Sequence, residues 1–110
     1  MRAARAETSI ERVEWQLRIY TINDGALDDW IAEWRAHVAP LRRKLGFRVL
    51  GPWVEGNTFV WLLGYEGDDG FAAADARYYE SPERTSLSPD PARHIAHVDQ
   101  RRLHDLGPIE

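Results

Sequence analysis

The chain has no cysteine among its 110 residues. That excludes disulfides, thiolate nucleophiles, iron–sulfur clusters and zinc ribbons. It also lacks any apolar run of the roughly 18 residues that a membrane-spanning helix requires. Positive charge is not in excess: 14 Lys and Arg stand against 18 Asp and Glu, a formal net charge of −4. Nucleic-acid binding wants a clustered basic face that displaces counterions, so neither nucleic acid nor a membrane is expected as a partner. No phosphate loop, dinucleotide fingerprint or nucleophile elbow occurs. Residues 1–12, MRAARAETSIER, have no apolar stretch of the kind a secretory leader carries. They read as a disordered arm before the domain, and a cytoplasmic location is the default expectation.

Aromatic residues, by contrast, are plentiful. Five Trp, four Tyr and three Phe exceed what one small core usually needs, which suggests a cavity, an interface or both. The length allows one domain with one core.

Residues 13–22 alternate, with Val13, Trp15, Leu17 and Ile19 on one face and Glu14, Gln16, Arg18 and Tyr20 on the other. A period of two means a strand. Asn23, Asp24 and Gly25 break it and offer a helix cap. Leu27, Trp30, Ile31, Trp34, Val38, Leu41 and Leu45 then recur at steps of three and four, the stripe of an amphipathic helix. Pro40 lies inside that helix and predicts a kink near Ala36. Arg42, Arg43 and Lys44 suit the negative end of its dipole. Two β-rich runs joined at Gly56-Asn57 read as a hairpin. Pro52 places the first run at a sheet edge. The second, from Thr58, is apolar on both faces. A short helix follows Gly70. Ser81-Pro82 and Asp90-Pro91 each open a further turn, and a more polar strand begins near Ile95.

The order βαββαβ predicts a ferredoxin-like α+β domain over 13–106, an antiparallel four-stranded sheet with helices on one face, and a short tail at 107–110. A third strand that is apolar on both faces implies that the sheet's other face is also covered. Nothing in so short a chain is left to cover it, so a homodimer of sheet against sheet is expected.

Several stretches, taken together and in order, resemble the NIPSNAP family. They are Gln16 to Thr21, Gly25-x-Leu27-x-x-Trp30, Pro40-Leu41, Gly46 to Gly51, Phe59 to Leu63, and Ala74 to Tyr79 followed by Ser81-Pro82. The resemblance spans roughly residues 13–106 and implies the dimeric α/β-barrel superfamily. That superfamily holds cofactor-free quinone-forming monooxygenases, haem-degrading enzymes, polyketide cyclases and non-catalytic binding proteins. The resemblance therefore speaks to fold more than to function, with secondary metabolism as one setting it implies.

Arg18 and Tyr20 share a face of the first strand, where a guanidinium beside a phenol can hold an enolate, carboxylate or phenolate oxygen. The alternative is a structural ion pair with a carboxylate such as Glu14 or Glu33. His37, at the border of the helical stripe one turn before Pro40, is a candidate general base. It could equally bond a carbonyl freed by Pro40 or sit at the rim. Trp34, Trp61, Arg77, Tyr78 and Tyr79 are candidates to line a cleft for a flat, partly unsaturated ligand, although ordinary core is the competing reading, favoured for Trp30 and Trp34. Of Tyr78 and Tyr79, adjacent on a helix, one should be core and one not. His94, His97, Asp99 and His104 do not converge at ligand spacing, so no metal is expected, and haem is a lesser alternative. The expectation is a homodimeric, cofactor-independent enzyme working by acid–base chemistry beside a carbonyl: cyclisation, condensation, isomerisation or cofactor-free oxygenation. Tyr20 or His37 would move the proton and Arg18 would hold the oxyanion. A non-catalytic small-molecule-binding or interaction module is the alternative.

Overall fold

A computed structural model describes residues 13–109; the arm expected at 1–12 and the final Glu110 lie outside the described residues. Four strands form one sheet in the order β2-β3-β1-β4: β1 Glu14–Ile22, β2 Arg48–Glu55, β3 Thr58–Tyr65 and β4 Ile95–Leu103. Every neighbouring pair is antiparallel, and the element order is the ferredoxin-like one. Pro52, with no N–H to give, sits on β2 at the edge, where a bulge between Leu50 and Trp53 interrupts the ladder.

Between β1 and β2 run α1 (Leu27–Glu33), a π-helical turn (Trp34–Val38) and α2 (Ala39–Lys44). The kink expected at Ala36 takes the form of this wider turn: the Ala39 N–H reaches back five residues to the Trp34 carbonyl. The following residue, Pro40, has no N–H, and a π turn is one of the few ways a helix absorbs that loss without breaking. The cap expected from Asn23 or Asp24 is not made. Ala26 is the N-cap, without a side-chain bond. The amide of Asn23 instead donates to the Arg93 carbonyl, and Asp24 accepts from Asn57. These contacts tie the β1 exit to distant loops, which outweighs the local cap.

After β3 come α3 (Gly70–Glu80) and the short α4 (Pro82–Thr85), then a 3-10 turn at Pro91–His94. Here both expected start signals are used. Ser81 accepts from the Arg84 N–H and Asp90 from the Ala92 N–H.

The core lies between the sheet and the helices. Phe59, Trp61, Leu63 and Tyr65 of β3 are buried there, as are Trp30, Trp34, Val38 and Leu41 from the first helical stretch. Trp34 meets Phe59 at 5.3 Å and Trp61 at 5.4 Å between ring centres, both edge-on. Such pairs add about 0.5–1.5 kcal/mol each beyond their buried area.

β1 presents to the helices the row that alternation marks as polar. Arg18 and Tyr20 are buried beneath them, while Trp15, Leu17 and Ile19 point to the other, uncovered face. Their partners across the ladder, Gly64, Leu62 and Val60 of β3, share that face. It continues onto β2 through Leu50 and Trp53, which are 47% and 54% exposed.

Candidate functional site

A cavity of about 150 Å3 opens between the sheet and the helices. Arg18, Tyr20 and Trp61 form its floor; Trp30, Val38 and Arg42 form one wall, and Tyr78, Tyr79 and Arg84 another. Pro91 and Ala92 of the 3-10 turn and Val98 and Gln100 of the edge strand β4 complete the lining.

Arg18 is 1% exposed, and each of its three guanidinium nitrogens donates to a neighbour. Its Nε donates to Gln16 Oε1 at 2.7 Å, Nη1 to the Tyr79 hydroxyl at 3.1 Å and, more weakly, to the Tyr20 hydroxyl at 3.5 Å. Nη2 donates to Asp75 Oδ1 at 3.1 Å. A carboxylate partner therefore exists, but it is neither Glu14 nor Glu33. Glu14 accepts from the Phe71 N–H and from Arg102; Glu33 is held by Arg93 and His94. Asp75 is 57 residues away in sequence, on the same face of α3 as the buried Phe71, Ala74 and Tyr78.

Arg42 is the residue that sequence reasoning missed. It is 1% exposed, not a solvated charge at a helix end. Its Nη1 donates to the same Asp75 oxygen at 2.7 Å, and its guanidinium lies 3.6 Å from the centre of the Tyr78 ring, a cation–π contact. A signal was present: Trp34, Val38 and Arg42 follow at intervals of four, so Arg42 shares the buried line. Asp75, directly after Ala74 on the buried stripe of α3, carried a similar one.

The phenol oxygens of Tyr20 and Tyr79 both accept from Arg18. Each hydroxyl keeps its proton available to donate elsewhere. Burial pushes the Tyr20 pKa up, against the pull of Arg18, so at neutral pH Tyr20 is a neutral donor rather than a base. Burial likewise raises the Tyr78 phenol. For Arg18, burial works against the charge, but Tyr20, Tyr79 and Asp75 more than offset it and the net direction is upward. Arg18 stays charged throughout the range in which the chain folds.

The structure thus brings Arg18, Tyr20, Trp61, Tyr78 and Tyr79 together around one cavity and sets three candidates apart. His37 is exposed on the π turn and is absent from the cavity lining, because the wider turn rotates it away from the buried line of Trp34 and Val38. Trp34 is core, packed on Phe59 and Trp61. Arg77 lies outside, bonded to Asp69 and to the Tyr65 hydroxyl. Tyr78 is buried and Tyr79 is 45% exposed, the split expected of adjacent helical residues. Among the described residues, no three His, Asp or Glu are grouped as a metal site. His94 Nε2 pairs with Glu33 at 3.1 Å, whereas His97 and Asp99 oppose Thr21 and Ile19 on the uncovered face. Among the described residues, no helix is long and apolar enough to cross a membrane.

The NIPSNAP family model matches residues 14–106. The chain belongs to the NIPSNAP family. Solved structures agree on the fold. A NIPSNAP domain protein from Burkholderia xenovorans is 18% identical, with 86% of this chain and 98% of that one covered at a TM-score of 0.75. A NIPSNAP family protein of Agrobacterium tumefaciens is 16% identical, with 91% and 96% covered at 0.76. A protein from Bacteroides thetaiotaomicron assigned to the antibiotic biosynthesis monooxygenases is 17% identical, with 89% and 93% covered at 0.68. At such identities the likeness is one of fold. Curated proteins give no significant match. A shared fold does not fix a reaction, so function is left to the residues of the cavity.

Proposed function

We propose that this NIPSNAP protein is a homodimeric, cofactor-independent enzyme whose cavity stabilises the enolate or phenolate oxygen of a small planar substrate. The single observation that supports this is the buried Arg18 guanidinium bonded to both the Tyr79 and Tyr20 hydroxyls. Each hydroxyl is polarised by a fixed cation and has a proton to donate, which is the arrangement that favours an oxygen gaining negative charge. Binding lowers the pKa of the substrate's C–H or O–H, and a water molecule entering the cavity accepts the proton, leaving the anion bound. The anion can then isomerise, cyclise or condense. With an electron-rich substrate it can reduce O2, as the likeness to monooxygenase-assigned structures would suit.

A second copy is proposed to cover the uncovered sheet face, where Leu17, Leu62 and Trp53 otherwise meet water. A cytoplasmic location remains part of this reading. The alternative, a binding module without turnover, is favoured by one observation: among the described residues no histidine lines the cavity, so none of them that ordinarily titrates near neutrality stands ready as a base.

The test is turnover and O2 consumption against a panel of β-dicarbonyls and polyphenols, with Tyr20→Phe and Tyr79→Phe beside the wild type. Loss of one polarised donor should lower kcat by about 100-fold, with little change in melting temperature. Saturable binding without turnover of any member would favour the module. Turnover unaffected by either variant would end the oxyanion role.

A further inference from the structure

The polar groups of the cavity are unequal in kind. Every buried side-chain polar atom without a partner among its lining residues is a donor: Trp30 Nε1, Trp61 Nε1 and Arg42 Nε. Tyr20 and Tyr79 add hydroxyl protons, since their oxygens already accept from Arg18. Unmatched acceptors do not occur in that set. A buried donor left unpaired costs about 1–3 kcal/mol, and although these three nitrogens are shielded from the free space itself, the excess of donors around the cavity suits an acceptor-rich ligand better than a cation.

Charge is unequal too. Three cations line the cavity: Arg18, Arg42 and Arg84. Arg84 is neutralised by Asp90 at 2.9 Å. Arg18 and Arg42 share one carboxylate, and indeed one oxygen, Asp75 Oδ1. Tyr20 cannot supply the missing charge, because burial keeps its phenol protonated. One positive charge is thus left over between two side chains that are each 1% exposed. Buried charges are rarely tolerated unpaired.

We infer that the cavity binds a planar monoanion, an aromatic or enolic carboxylate whose single charge completes the balance of Arg18, Arg42 and Asp75. The aromatic walls select flatness, since Tyr20, Trp30, Trp61 and Tyr78 all present rings. A volume of about 150 Å3 accommodates about one six-membered ring. The guanidinium of Arg42, planar by resonance and 3.6 Å from the centre of the Tyr78 ring, has in Nε and Nη2 a fork that matches a carboxylate. This inference rests on the same cavity as the enzymatic reading, but it concerns equilibrium binding and needs no turnover.

Calorimetric titration with benzoate and salicylate against their uncharged amides, benzamide and salicylamide, tests it directly. The acids should bind about tenfold or more tightly than the amides. Arg42→Lys keeps a charge but loses the planar fork and the Nε donor, and should weaken salicylate several-fold while leaving salicylamide nearly unchanged. Asp75→Asn should act in the opposite direction. It removes the competing carboxylate, so salicylate should raise the melting temperature of this variant more than that of the wild type, even though the unliganded variant is less stable. Equal affinity for acid and amide, no saturable binding of either at millimolar concentration, or a smaller salicylate shift in Asp75→Asn would each overturn the inference. If acids bind selectively and no substrate turns over, the enzymatic reading fails and this one stands; if β-dicarbonyls turn over with no preference for acids, the reverse holds.

Discussion

The two faces of the sheet carry opposite solutions to the same problem. On the helix-covered face, β1 contributes Arg18 and Tyr20 to the interior, with the guanidinium satisfied by Asp75, Gln16 and two tyrosines. On the uncovered face, the same strand offers Trp15, Leu17 and Ile19, with no element among the described residues packed over them. A strand ordinarily turns its apolar row to its own helices and its polar row to water. Here the rows are reversed. The reversal makes sense if the covered face is a polar cavity and the uncovered face is an interface, because each row then meets its chemical match.

The most severe way to break this comparison is to charge the uncovered face. Wild-type protein at micromolar concentration should scatter light as twice the chain mass. Leu62→Lys, at the centre of that face opposite Leu17 and Leu50, should give aggregation or unfolding. A soluble Leu62→Lys monomer with the wild-type melting temperature would show that the apolar row needs no partner.

The covered face breaks next. Asp75→Ala strands two buried guanidiniums, a change that costs about 3–5 kcal/mol in fully buried pairs. With the Asp75 side chain 26% exposed, about 2–3 kcal/mol is expected, read from urea unfolding. A loss below about 0.5 kcal/mol would mean that the buried arginines do not depend on this carboxylate.

A smaller effect separates the faces by packing alone. A Cβ on Gly64 would come within 2.6 Å of the Trp15 ring, so Gly64→Ala must push that ring away from the uncovered face. Overpacking of this kind costs about 1–3 kcal/mol in a tight core, and the low end is expected where the ring can still swing. If the face is an interface, the dimer dissociation constant should rise with it. Unchanged dimer affinity would place Trp15 outside the contact.

The smallest effect concerns the 3-10 turn at Pro91–His94, which borders the cavity. Glu33 is held below its ordinary pKa, mainly by hydrogen bonding from Arg93, with His94 assisting. A depressed carboxyl stabilises the fold above its unfolded value of about 4.3, and that contribution is lost as pH falls through the folded-state pKa. Wild-type melting temperature should therefore fall more steeply below about pH 4.3 than that of Glu33→Gln. Parallel pH profiles would remove Glu33 from the account.

Much of the fold was legible in local pattern. The strand at 13–22, the helical stripe from Leu27, the Gly56-Asn57 hairpin and the edge position marked by Pro52 each rest on periodicity or on the chemistry of one residue. Less of the cavity was legible. Arg18 and Tyr20 showed themselves as polar residues on a strand whose other row is apolar. His37 looked equally suitable but faces solvent, because a π turn redirects the helix just where an α-helical stripe would place it at the border. Arg42 was hidden inside a basic run at a helix end, where the dipole already supplied a sufficient reason for it.

What the sequence by itself determined was the order of elements, the two rows of each strand and the double apolarity of β3, since these follow from spacing along a few neighbouring residues. Which row of β1 faces inward was decided only by tertiary structure. Alternation defines two faces without saying which the helices cover. That choice comes from pairing: Arg18 lies opposite Trp61 and Tyr20 opposite Phe59, and the aromatic row of β3 is the one on which Trp30 and Trp34 of the first helical stretch close. The partnership of Arg18 and Arg42 with Asp75 is of the same kind. It joins three elements far apart in the chain, and a charge can find its partner only once packing has brought the two within a hydrogen bond.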